Sequence, residues 1–323
     1  MPAEFFARAG RTHMIATVTL NPALDKSVYI DKLRPNDTNR IRKIEVDAGG
    51  KGVNASRVLK ELGSETVALG FLGGQTGRFI EHVLHTEGIP TDFVLTDSDT
   101  RTNIVVQEAL GVPPTTLNEP GPSISEDGFE ELLSKVRKAA RSSSMVILGG
   151  SVPPGAPKDV YQRLVKVAQD AGAQAILDSD GEPMRLGMQA VPFMIKPNRD
   201  EVRRLIDVKI GSLDDAVRAL NILAQTGVKL VVISMGAKGA VAGSADEVWH
   251  AMPPQVKPVS TIGSGDSMIA GIAHTLSQGN SLEEALKWGT AAGAATAMTD
   301  GTEICKRHQV LDLLSEVHIE RLG

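Results

Sequence analysis

A chain of 323 residues, 41% of them hydrophobic, is long enough for one large α/β domain or two smaller ones around a sizeable core. A net charge of −5 and a pI near 5.8, with no Lys/Arg cluster, argue against a nucleic-acid partner. The one cysteine, Cys305, makes neither an internal disulfide nor a Cys-based metal site, and no apolar run approaches the roughly 18 residues that span a bilayer, so the expectation is a cytoplasmic protein without a membrane partner.

Residues 1–13 carry arginines but no apolar core, so they read as an N-terminal extension, flexible over 1–11, rather than a secretory signal. Residues 14–20 (MIATVTL) are apolar and β-branched and end at Asn21-Pro22, the pattern of a buried strand running into a loop. Two short alternating stretches, 27–31 and 41–46, are joined by the turn-like Arg34-Pro35-Asn36-Asp37 and suit a small exposed sheet such as a lid. Residues 48–54 (AGGKGVN) form a glycine turn that feeds a helix over 55–62, closed by Gly63. Strands follow at 66–72, 93–96, 103–109, 145–148, 175–178, 193–196 and 230–234. Between them lie helices at 77–85, 125–141 with Ser125 as N-cap, 157–170 and 213–226. Residues 240–242 and 247–250 suit a hairpin, and 267–278, 282–298 and 308–317 are helical. Strands alternating with helices predict a mostly parallel sheet covered on both faces. Ligands in such sheets sit at the carboxyl ends of the strands, where Asn21, residues 149–151, Asn198 and residues 234–236 fall. No repeat, low-complexity segment or long linker divides residues 14–323.

Several chemistries are missing from the sequence. There is no P-loop motif, no G-x-S-x-G nucleophile elbow, and no metal-ligand spacing among the seven histidines. Gly263-Ser264-Gly265-Asp266-Ser267-Met268 begins like a dinucleotide motif but carries Met where the third glycine belongs.

What that hexapeptide does offer is a glycine-serine-glycine turn opening a helix, with a carboxylate at its mouth. Backbone amides and the positive end of a helix dipole stabilise an anion there. Asp266 beside that anion has the chemistry of a base that takes a proton from an attacking hydroxyl, or it is an ordinary helix cap. Asp25 is placed to grip a hydroxyl, or is a loop carboxylate. Gly50, with its flexible neighbours, allows close backbone approach, and Asn54 can donate and accept. Arg40 and Arg101 are candidate phosphate clamps, or solvated surface charges. Asn198 and Glu201, three apart at a strand-to-helix turn, either hold a Mg²⁺ largely through water or form a capping box; spacing alone favours the box.

Taken together, residues 49–57 (GGKGVNASR) and 262–267 (IGSGDS) resemble the two signatures of the PfkB/ribokinase family of carbohydrate kinases. Asn21-Pro22-Ala23-Leu24-Asp25-Lys26, Thr38-Asn39-Arg40, Thr100-Arg101-Thr102-Asn103 and Leu117-Asn118-Glu119-Pro120-Gly121-Pro122 resemble its phosphofructokinase branch, which acts on phosphorylated ketohexoses. The resemblance implies a three-layer αβα sandwich with a small β-lid formed by about residues 27–46 and 93–109, and a homodimer paired through that lid. It implies transfer of the γ-phosphoryl of MgATP to fructose 1-phosphate or fructose 6-phosphate, giving fructose 1,6-bisphosphate. Asp266 would be the base and the amides of Gly263, Ser264 and Gly265 the anion hole. Asp25, Gly50, Lys51, Asn54 and Ser151 would bind the sugar, and Arg40 and Arg101 its phosphate. Lys196, Asn198, Ser234, Gly236 and Gly239 would line the ATP site, with Mg²⁺ near Glu201 and Asn198.

Two departures from the family pattern stand out. Ser264 replaces the usual Ala, with little effect expected. Lys51 replaces a Gly of the minor 6-phosphofructokinase type, which leans toward fructose 1-phosphate or tagatose 6-phosphate as substrate. The alternatives are a tagatose-6-phosphate kinase, a kinase of an unphosphorylated sugar or nucleoside, and a sugar-phosphate sensor without turnover.

Overall fold

The computed structural model describes residues 13–108, 114–244 and 246–322; the expected extension therefore falls outside them except for His13. The chain runs β1 (Ile15–Thr19), β2 (Ala23–Ile30), β3 (Lys43–Gly49), α1 (Lys51–Leu62), β4 (Thr66–Gly73), α2 (Gly74–Thr86), β5 (Thr91–Thr96), β6 (Arg101–Glu108) and β7 (Thr115–Asn118). It continues with α3 (Glu126–Ser142), β8 (Met145–Gly149), α4 (Val160–Asp170), β9 (Gln174–Asp178), α5 (Gly181–Met188), β10 (Met194–Ile195), α6 (Arg199–Ile206), α7 (Leu213–Ala224) and β11 (Leu230–Ser234). The last elements are β12 (Ala240–Gly243), β13 (Val248–Met252), α8 (Ser264–Ser277), α9 (Leu282–Ala297), α10 (Arg307–Leu314) and β14 (His318–Arg321).

Ten of these strands form one sheet in the order β14-β13-β12-β11-β10-β9-β8-β1-β4-β5. The run from β11 to β5 is parallel, while β12, β13 and β14 close one edge as an antiparallel meander. Side chains alternate across it with period two. Ala16, Val18, Val146 and Leu148 join the core under α3 to α7, while Ile15, Met145, Ile147 and Ile176 join the core under α1, α8, α9 and α10. Burial on both faces explains why these strands read as continuous apolar runs. β1 lies between β4 and β8, so the strand order reverses there and a crevice opens at the carboxyl ends.

α8 is buried along almost its whole length, from Asp266 to Ser277. It crosses α9 at two glycines. A Cβ at Gly271 would stand 2.9 Å from the Gly289 Cα, and one at Gly289 would stand 2.7 Å from the Met268 carbonyl oxygen. This close crossing fixes the helix whose N-terminus carries Asp266.

The second sheet has the order β3-β2-β6-β7, with β2 and β6 parallel and both outer pairs antiparallel. It is the small second sheet expected for the lid, built partly from other segments. Residues 93–96 do not belong to it: β5 pairs in parallel with β4 at the edge of the main sheet, as the end of a β4-α2-β5 crossover. After β3 the chain re-enters the lid only at β6, and Ala109 lies outside the described residues. Thr115–Asn118, which was not among the expected strands, supplies the lid's fourth strand.

Other boundaries also moved. The first lid strand begins at Ala23 instead of residue 27, so Asp25 lies within a strand. α1 begins at Lys51, four residues before the expected start, because Gly50 takes φ +117 as its N-cap and Gly52 packs against the backbone of Val18. α5, capped by Asp180, and β14 were not expected at all, and the helix read over 308–317 stops at Leu314. Ser125 caps α3 as expected, its hydroxyl accepting from the Gly128 amide.

Candidate active site

The crevice at the carboxyl end of β1 receives two helix N-termini. α8 starts at Gly263, which takes φ +78, and α1 starts at Gly50. Asn54, on the first turns of α1, donates from Nδ2 to Oδ2 of Asp266 at 2.8 Å, and its own amide donates to the Gly50 carbonyl. Asn54 Oδ1 is buried without a hydrogen-bond partner among the described residues. Two helix dipoles thus direct their positive ends at one place, where an anion is stabilised.

Burial pushes the Asp266 carboxyl up to about 6; Asp178 adds to the rise, while Lys51, Asn54 and Lys196 oppose it. Beneath Asp266 lies a cluster of charges. Lys51 Nζ stands 3.1 Å from Asp178 Oδ1, and Lys196 Nζ stands 3.8 Å from the same oxygen. Burial disfavours the Lys51 ammonium, but Asp178, Asp266 and Glu201 together outweigh it and hold the group above the ordinary lysine range. Lys196 Nζ is 3.2 Å from where a Cβ of Gly265 would stand, so it lies against the glycine turn. Ser264 Oγ is buried and has no hydrogen-bond partner among the described residues.

On the lid side, Asp25 faces the crevice. Its Oδ1 accepts from Asn103 Nδ2 at 2.9 Å, and Gly49 is packed so tightly on it that a Cβ there would overlap the carboxylate. Burial raises the Asp25 carboxyl above its ordinary range, against the Asn103 hydrogen bond and the Arg101 charge. The Arg101 guanidinium is half-buried and largely committed. Nε and Nη2 donate to the Asn21 carbonyl at 3.2 and 3.0 Å, and Nη1 to the Glu119 carbonyl at 3.1 Å. Ser151 is exposed, with its hydroxyl 3.4 Å from Asn21 Nδ2. The turn before it is held by Tyr161 and Ser179, whose hydroxyls both donate to the Gly150 carbonyl. Arg40 is not brought into this group. It is exposed on the loop between β2 and β3, with no ion pair among the described residues.

Ser234 ends β11 and bridges to Asn198, and its amide donates to the Pro197 carbonyl at 3.1 Å. The space around Gly236 is open, whereas Gly239 packs on the Ala251 carbonyl. A groove of about 410 Å³ runs beside this turn, lined by Arg199, Met235, Lys238, His250 and Met252 among others, while a larger hollow of about 540 Å³ along α7 touches none of the expected site residues. Asn198 and Glu201 form the capping box that their spacing favoured. Asn198 Oδ1 accepts from the Asp200 and Glu201 amides, and Glu201 Oε2 accepts from the Asn198 amide. No group of three or more His, Cys, Asp or Glu residues among those described is arranged to hold a metal ion.

Sequence reasoning missed Asp178, Asn103 and Tyr161. Asp178 had a signal: it is the carboxylate that ends a buried strand of a parallel sheet, where ligands gather. Asn103 becomes visible only through register, which sets it directly across from Asp25.

The profile of the pfkB family of carbohydrate kinases matches residues 18–309. The chain is 37% identical to the 1-phosphofructokinase of Borreliella burgdorferi over 309 residues, covering 95% of this chain and 98% of that one. It is 33% identical to the tagatose-6-phosphate kinase of Staphylococcus epidermidis, covering 93% of this chain and all of the other. Among solved structures, phosphofructokinase-2 of Escherichia coli in complex with fructose-6-phosphate matches with a TM-score of 0.87 at 29% identity, over 94% of this chain and 98% of that one. The tetrameric inhibited form of the same enzyme gives 0.86. The fold is the ribokinase-like α/β sandwich with a small second sheet, and the chain belongs to the pfkB family of carbohydrate kinases.

Proposed function

We propose that this protein is an ATP-dependent phosphofructokinase that phosphorylates a ketohexose phosphate, fructose 1-phosphate first and fructose 6-phosphate second, to give fructose 1,6-bisphosphate. The observation that carries the reading is the Asp266–Asn54 pair at the meeting point of two helix N-termini, backed by two lysines. The 37% identity to a 1-phosphofructokinase over nearly the whole chain favours the first substrate.

In this reading the sugar hydroxyl attacks the γ-phosphorus, forming an O–P bond as the bond to the ADP oxygen breaks. The hydroxyl proton goes to the Asp266 carboxylate. A base whose pKa is about 6 is ionised at neutral pH and still basic enough to accept that proton as charge develops. The amides of Gly263, Ser264 and Gly265 face the equatorial oxygens of the phosphoryl group. Asp25, Gly50, Lys51, Asn54 and Ser151 bind the sugar. Arg40 and Arg101 hold its phosphate: Arg101 with the N–H groups left over from its three carbonyl contacts, Arg40 by movement of its exposed loop.

Lys196, Asn198, Ser234, Gly236 and Gly239 line the ATP side. A Mg²⁺ fits only at second hand, because the capping box already occupies Asn198 Oδ1 and Glu201 Oε2, leaving Glu201 Oε1 and bridging water. When bound it neutralises phosphate charge.

The lid also supports a partner. Register places Val28, Ile44, Val46, Ile104 and Leu117 on the face turned away from Asp25, and Ile44, Val46 and Leu117 are 49%, 40% and 57% exposed. We assign this face to a second copy of the chain. Ile44→Asp would then convert a dimer to monomers in sedimentation velocity; a wild-type monomer, or an unchanged dimer in the variant, contradicts the assignment.

The test of function is coupled ADP release with MgATP against fructose 1-phosphate, fructose 6-phosphate, tagatose 6-phosphate, fructose, ribose and adenosine. Turnover confined to the phosphorylated ketohexoses supports the reading. A preference for tagatose 6-phosphate selects the alternative that the 33% relative represents. Preference for an unphosphorylated acceptor removes the role given to the two arginines, and binding without turnover leaves a sensor.

A further inference from the structure

Asp178 has no part in the roles above, yet it ends β9 in the floor of the crevice and is 2% exposed. A carboxylate so deep needs compensating charge beside it. Lys51 and Lys196 supply it, both on Oδ1. They reach it from either side of β9 in the sheet: Lys196 follows β10, and Lys51, at the start of α1, packs against Gly149 at the end of β8. Lysine is a flexible cation that loses side-chain entropy when it is fixed. One buried anion between two such cations therefore spends its charge on holding them still. The groups facing Asp266 are Lys51 from α1, Asp178 from β9 and Lys196 from the segment after β10, and Glu201 on α6 faces Lys51.

We infer, on the kinase reading, that Asp178 is a positioning residue: it seats the Lys51 and Lys196 ammonium groups on one carboxylate, so that both stand fixed beside the 263–265 turn before the phosphoryl group passes. Lys51 thereby gains a second task besides contact with the sugar, as a fixed charge at the reaction centre. Preorganised charge of this kind acts on the transition state without further reorganisation.

The test compares wild type with Asp178→Asn and Asp178→Glu. Asp178→Asn is expected to lower kcat about 30- to 100-fold while both KM values stay within about threefold, and Asp178→Glu to recover part of the loss. A second readout needs no turnover. Limited acetylation at pH 8 with peptide mapping should label Lys51 about tenfold faster in Asp178→Asn, relative to the exposed Lys138, because the ammonium has lost the carboxylate that keeps it protonated. Wild-type kcat in Asp178→Asn, or unchanged Lys51 labelling, overturns the inference. A wild type that turns over none of the six acceptors, with fast labelling in the variant, means instead that the kinase reading failed while the clamp stands. If Asp178→Asn does not fold, Lys51→Met, which leaves Asp178 paired with Lys196, carries the test. Its kcat should fall similarly, and the acid limb of kcat/KM should move to higher pH, since a cation that opposes protonation of Asp266 is gone. Wild-type kcat with an unmoved limb contradicts the proposal.

Discussion

The two ends of the crevice are built on different plans. At the end assigned to the phosphoryl group the side chains ride on the main sheet or a buried helix and already have partners: Asp266 with Asn54, Lys51 and Lys196 with Asp178. At the end assigned to the sugar phosphate the groups come from the lid and its loops. Arg40 is exposed, Asn103 Oδ1 and Ser27 Oγ are buried without partners among the described residues, and Ile44, Val46 and Leu117 on the lid's outer face are exposed. The lesson is a division of labour. On the proposed function, the chemistry would be preassembled by the core, and recognition completed by closure of the lid on substrate and on a second subunit.

Predictions that sharpen this contrast differ in size. The largest concerns pH. Asp266 must be ionised to act, so kcat/KM should hold level above pH 7 and fall about tenfold per pH unit well below 6. An acid limb near pH 4 would mean that Asp266 does not sense the burial described here. Next comes the scaffold. Gly289→Ala drives a methyl into Met268 and Ile272 of α8, and overpacking of that kind costs about 1–3 kcal/mol in urea or thermal unfolding. No loss of stability would show that the α8–α9 crossing has slack. On the recognition side, Arg40→Ala should raise KM for the sugar phosphate about tenfold and leave KM for ATP unchanged, the loss expected for one charge-assisted contact. Equal changes in both would merge the two ends that the structure separates. The smallest effect belongs to Ser264→Ala. Its hydroxyl has no partner, so both kcat and unfolding free energy should stay within about twofold and about 0.5 kcal/mol of wild type.

Much of the core was legible because its physics is local. The strand at 15–19 is all apolar or β-branched, the Gly263-Ser264-Gly265-Asp266 turn announces a helix N-terminus, and Asn198 with Glu201 announces a capping box. The lid was legible only in outline. Thr115–Asn118 is exposed at all four positions and shows no apolar alternation, so nothing marks it as a strand until β6 offers its edge. Residues 93–96 and 103–108 look alike as short β-branched runs, but they belong to different sheets, and only the β4-α2-β5 crossover decides which. Arg101 illustrates the limit for function. Its residue type fits a phosphate clamp, yet three of its contacts are to backbone carbonyls that no sequence pattern brings near it. Asp178 is the converse case: an unremarkable strand end in sequence, and a buried junction of two lysines once β8, β9 and β10 are side by side.

The central claim is that Asp266 is buried for its chemistry and at the expense of stability. Its carboxyl is raised from 3.8 to about 6 in the folded protein, so the native state binds the proton more tightly than the unfolded chain does. Stability is therefore lost as pH rises through that window, and the cost is complete above pH 6, at about 1–3 kcal/mol. The most direct test measures unfolding and turnover of Asp266→Asn on one preparation at pH 7.5. A protein at least as stable as wild type, with kcat reduced about 10²- to 10⁴-fold, is the predicted result. A variant that keeps kcat within tenfold, or that loses activity only in step with lost stability, would contradict it.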